Sequence, residues 1–158
     1  MYFAWGETEG YTAEDVAAGK KVFNWDNYKF GTKDNLTKYN ATDGLTILEL
    51  EDDAAYQSDN SCRMPNKDEI QELIDNTTST WETLNGINGR RFTSNTNGNS
   101  IFLPETESEN GYFWSNSIDE SSSSSRRALT LYFDSESKYM EFTNRYLSCS
   151  IRPVQDPK

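Results

Sequence analysis

Pro65-Asn66-Lys67-Asp68-Glu69-Ile70-Gln71-Glu72-Leu73-Ile74-Asp75 carries the strongest local signal in the chain. Asn66 is placed to cap the first turn of a helix, and Glu69, three residues on, completes a capping box. Ile70, Leu73 and Ile74 fall at i, i+3 and i+4, which makes one apolar stripe. The pattern predicts a helix over 67–76. Beyond residue 78 the period changes. Short β-prone runs, Thr80–Leu84, Arg91–Ser94, Ser100–Leu103, Tyr112–Asn116, Leu129–Asp134, Tyr139–Phe142 and Ser150–Val154, alternate with Asn-Gly dipeptides at 85–86, 88–89, 97–98 and 110–111. Such dipeptides accept the positive φ of tight hairpins. Helix followed by a meander of short strands predicts an α+β fold with its helices segregated to one side.

Upstream, residues 1–45 are aromatic, polar and poorly periodic, with a short helix expected at Ala13–Ala18. Leu45–Leu50 is apolar enough for a brief strand or the entry to a helix. Glu51-Asp52-Asp53 ahead of Ala54-Ala55-Tyr56 complements a helix dipole, so a helix is expected at about 51–58. Those carboxylates are also candidate metal ligands, and the dipole is a sufficient reason for them. Ser121–Ser125 reads as an exposed loop tip.

The 158 residues favour a single domain over 1–158. Against 15 Lys+Arg stand 26 Asp+Glu, a formal net charge of −11, and there is no histidine. Phosphate backbones and anionic membrane surfaces repel such a chain. No apolar run approaches the ~18 residues of a membrane span. Without histidine, the commonest general base, the Ser-His and Cys-His pairs and all imidazole metal sites are excluded. Aromatics make up 13%, which argues for an ordered core built from large rings. Trp5, Trp25 and Trp81 are read as packing rather than as a sugar platform, and Trp114 as core. Residues 1–110 hold 20 acidic and 9 basic side chains, while 111–158 hold 6 and 6. A surface from that neutral, aromatic third binds by shape and hydrogen bonding rather than bulk charge. Cys62 and Cys149 are too few for a zinc site. They are a disulfide, two buried thiols, or one of each. Met1–Trp5 lacks the basic and apolar regions of a signal peptide, so the chain is expected either not to be secreted on its own or to be part of something longer.

Nine short pieces occur in order along almost the whole chain: Trp5-Gly6-Glu7-Thr8-Glu9, Leu36–Asn40, Leu48–Ala55, Arg63-Met64-Pro65, Glu72-Leu73-Ile74, Leu84–Gly89, Gly98–Pro104, Tyr112-Phe113-Trp114-Ser115 and Ile151-Arg152-Pro153-Val154. Together they resemble the Fibrobacter succinogenes major paralogous domain, a family common in gut Bacteroidales and their phages and similar to the variable proteins of diversity-generating retroelements. The resemblance implies a C-type lectin-like fold, related to the formylglycine-generating branch, in which closing strands and loops display variable residues on a fixed frame. It places that surface at about Ser117–Cys149. The ligand-facing set it implies is Asn116, Arg126, Arg127, Asp134, Glu136, Lys138, Phe142, Asn144, Tyr146 and Leu147.

The chain departs from the family in several places. A strand that usually precedes the Trp-Gly-Glu piece is not seen, and the stretch between Pro104 and Tyr112 is short and acidic. Cys62 stands where a Trp commonly precedes Arg-Met-Pro, and Cys149 where relatives vary, which modestly favours a Cys62–Cys149 pair. The expected function is a non-catalytic module without cofactor, recognising a protein or glycan receptor at a cell surface or on a phage virion, as an adhesin or tail-fibre tip does. One alternative is a formylglycine-generating-type oxidase using Cys62 and Cys149. The other is a calcium-dependent sugar-binding lectin using Glu105, Glu107, Glu109 and Asn110 with Trp114 and Asn116. Neither calcium motif of such lectins is intact here.

Overall fold

The computed structural model describes residues 1–158. Its elements are α1 (Ala13–Ala17), β1 (Gly31–Thr32), β2 (Asn35–Leu36), α2 (Ala54–Ser58), α3 (Lys67–Asp75), β3 (Thr77–Leu84), β4 (Ile87–Ser94), β5 (Ser100–Pro104), β6 (Asn110–Ile118), β7 (Arg127–Asp134) and β8 (Lys138–Asn144). All pairing within the three sheets, β1-β2, β3-β4-β5 and β6-β7-β8, is antiparallel between neighbours in sequence. This is an α+β protein with few short helices and two three-stranded meanders.

The helix predicted over 67–76 is α3, and its capping box is formed as the sequence requires. Asn66 Oδ1 accepts from the Glu69 N–H at 2.8 Å, and Glu69 Oε1 accepts from the Asn66 N–H at 3.2 Å. Ile70 is buried against Phe92, Leu103, Phe113, Leu131 and Phe133, with Leu73 and Ile74 partly buried beside it. Asn66→Ala should therefore cost about 1 kcal/mol, read as a fall in the urea midpoint with unchanged slope. α3 follows directly into β3 and packs against residues of both larger sheets.

Two of the four Asn-Gly dipeptides make turns. Asn85 and Gly86, with φ of 51° and 79°, close the β3–β4 hairpin with the two left-handed residues of a type I′ turn. Gly98, with φ of 76°, ends the β4–β5 turn. Gly89 instead lies inside β4, where a Cβ would collide with the Leu103 carbonyl of β5. Asn110-Gly111 begins β6, and the left-handed residue is its predecessor Glu109.

The expected helix at 51–58 is broken in two. A 3-10 turn over Leu50–Asp52 precedes α2, because the Asp53 carboxylate accepts from both the Tyr56 and Met64 N–H groups, at 3.0 and 2.9 Å. Asp53 must therefore leave helical backbone to act as the N-cap. Leu45–Leu50 is the entry to a helical turn rather than a strand, since Leu50 opens the 3-10 turn, and Ser150–Val154 is not a strand. Each makes isolated bridges, Ile47 with Ser117, Ser150 with Phe113 and Val154 with Arg63. The first of these occupies the bulge where β6 leaves β7 between Trp114 and Ile118.

Two cores result. One gathers Ala4, Trp5, Tyr28, Phe30, Tyr39, Met64, Trp114 and Cys149, and the other lies under α3. Trp5 and Trp114 are fully buried, and Trp25 and Trp81 pack at the margins of the two cores. Phe3 bridges Cys149 in antiparallel fashion, so the two ends of the chain close the first core together.

Candidate functional site

β8 is an edge strand, and the five residues after it turn back towards Phe3. Arg145 anchors this return. Its side chain is fully buried, with its guanidinium carbon 5.0, 5.4, 5.8 and 5.9 Å from the ring centroids of Trp5, Tyr28, Phe30 and Tyr39. Nη1 donates to the Tyr39 and Ser125 carbonyls at 2.9 and 3.0 Å, Nη2 to the Lys38 carbonyl at 2.8 Å and Nε to Tyr28 Oη at 3.1 Å. No carboxylate pairs with it. The rings and carbonyls stabilise the charge instead.

Between β8, its return loop and the segment before β6 lies a groove of about 300 Å³. Glu107, Tyr112, Glu141, Phe142, Thr143, Asn144, Leu147, Ser148 and Cys149 line it. Tyr112, Tyr132 and Tyr139 stand opposite one another on β6, β7 and β8, with centroid spacings of 5.0 and 4.8 Å, and form a ladder beside it. Burial raises the Tyr112 hydroxyl above its usual range, and the charges of Glu107 and Glu141 raise it further. Leu147 is 38% exposed at the mouth, and Phe142, 45% exposed, projects from the opposite face of β8.

The ten residues implied by the resemblance do not form one surface. Phe142, Asn144 and Leu147 all border the groove, but the Phe142 ring stands on the opposite face of β8, where the Arg127 guanidinium lies 5.0 Å from its centroid while pairing with buried Asp119 at 2.8 Å. Arg126 and Tyr146 turn towards the N-terminal third. Arg126 bonds the Lys33 carbonyl and Asp34, and Tyr146 packs on Trp25 at 4.9 Å. Asp134, Glu136 and Lys138 sit at the opposite end of the β7–β8 hairpin, which Asp134 closes by accepting from the Glu136 and Ser137 N–H groups at 2.8 and 2.6 Å. Asn116 is only 8% exposed, held in the bulge by backbone bonds to Pro65 and Leu48, so it does not reach the surface. The sequence reading missed Tyr112, Glu141 and Thr143. The alternation Tyr139-Glu141-Thr143 along one strand face was their available signal.

The Cys62–Cys149 pair is not formed. Cys149 is buried in the first core, whereas Cys62 lies among Asp59, Ser61 and Gln155 at the surface. Burial, and after it Glu107, holds the Cys149 thiol well above the usual thiol range. Iodoacetamide should label Cys62 in the folded protein and Cys149 only after unfolding, as read by peptide mass spectrometry.

Only Glu49, Glu51 and Asp52 converge closely enough to share a metal, and the Lys38 ammonium already lies among them at 2.6, 2.7 and 2.7 Å. Glu105, Glu107 and Glu109 do not converge on one point, Trp114 donates to the Phe3 carbonyl, and Asn116 is buried, so the residues of the calcium alternative are not gathered. No family model, no curated protein and no solved structure matches the chain.

Proposed function

We propose that the chain is a non-catalytic recognition module with a C-type lectin-like fold, of the kind found in variable proteins of diversity-generating retroelements. It presents the β8 edge and its return loop to a protein or glycan receptor at a cell surface or on a virion. The observation that carries this reading is the groove itself: an open concavity bordered by exposed Leu147, with exposed Phe142 on the other face of the same edge strand, whose C-terminal end is held by the caged Arg145. Exposed apolar groups on a rigid support lose little entropy on binding, which is the economy of a paratope. The two thiols have separate surroundings, which disfavours an oxidase that needs them as a pair.

Arrays of outer-membrane proteins and surface glycans provide the test. The full chain should bind at least one member, and Phe142→Ala with Leu147→Asp should abolish that binding without lowering stability. Binding to none, or binding indifferent to both substitutions, overturns the proposal.

A further inference from the structure

Three times this fold sets a carboxylate beside an aromatic ring and supplies an ammonium to both. Lys29 pairs with Asp52 at 2.7 Å over the Phe30 ring, and Lys38 pairs with the same Asp52 at 2.7 Å over Tyr39. Lys21 pairs with Glu7 at 2.9 Å, its nitrogen 5.5 Å from the Phe23 centroid. The groove repeats the first two components without the third. Glu107 and Glu141 line the groove with Tyr112, and neither forms an ion pair within the molecule. The one bond the Glu141 side chain makes is local, Oε1 accepting from the Phe142 N–H at 3.0 Å. Leu147 adds apolar surface at the mouth.

Two uncompensated carboxylates and a tyrosine inside, with apolar Leu147 outside, match a side chain that has a charged head and a methylene stem. We propose that the groove receives a lysine or arginine side chain from a basic segment of a protein partner. The inference rests on the recognition reading above and names its partner class. The head takes the place that Lys29, Lys38 and Lys21 fill elsewhere, and the stem lies along Leu147. A net charge of −11 adds long-range attraction for such a partner.

The test is a titration of the full chain, followed by NMR, with a short peptide bearing two lysines among glycines and with its glutamine counterpart. A panel of neutral oligosaccharides is run alongside. The lysine peptide should shift the Tyr112, Thr143 and Leu147 signals, and the glutamine peptide should not. Glu107→Gln with Glu141→Gln should weaken binding by about tenfold or more. Asp68→Asn with Glu72→Gln, an equal charge change on the exposed face of α3, should leave it within about twofold. Equal weakening by both pairs of substitutions would mean bulk attraction and overturns the inference. So does a lysine peptide that leaves those three signals unmoved. Oligosaccharides shifting the same signals while the peptide does not would overturn the inference and leave the recognition reading standing, whereas failure of the receptor arrays removes that reading itself.

Discussion

Arg145→Ala should lower the stability of the protein by about 3–5 kcal/mol, the cost of breaking a buried, fully bonded charge. The substitution leaves the carbonyls of Lys38, Tyr39 and Ser125 without their donor and opens a void among four aromatic rings. Those three residues belong to two separate segments, and the guanidinium is what ties both to the end of β8. Arg145→Lys should recover only part of the loss, because an ammonium has no planar fork with which to reach carbonyls on both sides at once. Urea unfolding of the three proteins is the measurement. An alanine variant within about 1 kcal/mol of the parent would mean that the rings alone hold the return loop. Since the groove is built on that loop, the same variant should also lose receptor binding at temperatures where it remains folded.

The second large effect centres on Asp52, which is 3% exposed. Burial by itself would raise its pKa, but bonds from Lys29, Lys38 and the Tyr39 hydroxyl outweigh that and hold it below the ordinary value. A carboxyl depressed on folding contributes its full stabilisation above its unfolded pKa of about 4, and loses it as pH falls through the folded value. Stability should therefore be level near neutrality and drop below about pH 4. Asp52→Asn should cost about 2–4 kcal/mol at pH 7 and flatten the acid limb of the curve. Lys38→Met removes the cation from Glu49, Glu51 and Asp52 and should cost about 2 kcal/mol at pH 7, a value reduced because Lys38 and both glutamates are partly solvated. In that variant Asp52 faces two neighbouring carboxylates with no Lys38 between them, so the penalty should shrink as acid protonates Asp52. Urea unfolding between pH 3 and pH 7 reads all three proteins. A penalty for Lys38→Met that grows on acidification would rule out repulsion as its cause.

Legibility followed the range of the interactions. α3 could be read because its cap, its box and its stripe lie within eleven residues, and each is satisfied by groups of the helix itself or one turn away. Asn85-Gly86 was legible for the same reason, since a type I′ turn needs only its own two residues. Asn88-Gly89 has the same composition and is strand, because its place was decided by pairing with β5 fifteen residues on. The groove is a harder case. Phe142, Asn144 and Leu147 were named from the resemblance, but Tyr112 is brought beside Glu141 only through β7, and Glu107 only by the turn that enters β6.

Composition and local pattern alone determined that the chain is α+β, aromatic in its core, acidic, and without any chemistry that needs histidine. Those properties depend on residue type or on neighbours a few positions apart, and they hold in any arrangement of the elements. Only the tertiary structure decided that Arg145 is interior, that Cys62 and Cys149 stay apart, and that the ten implied residues divide among a groove, a hairpin tip, the N-terminal third and the core. Each of those outcomes turns on which segments, tens of residues distant, remove a group from water or leave it there, and a one-dimensional pattern does not encode that partner.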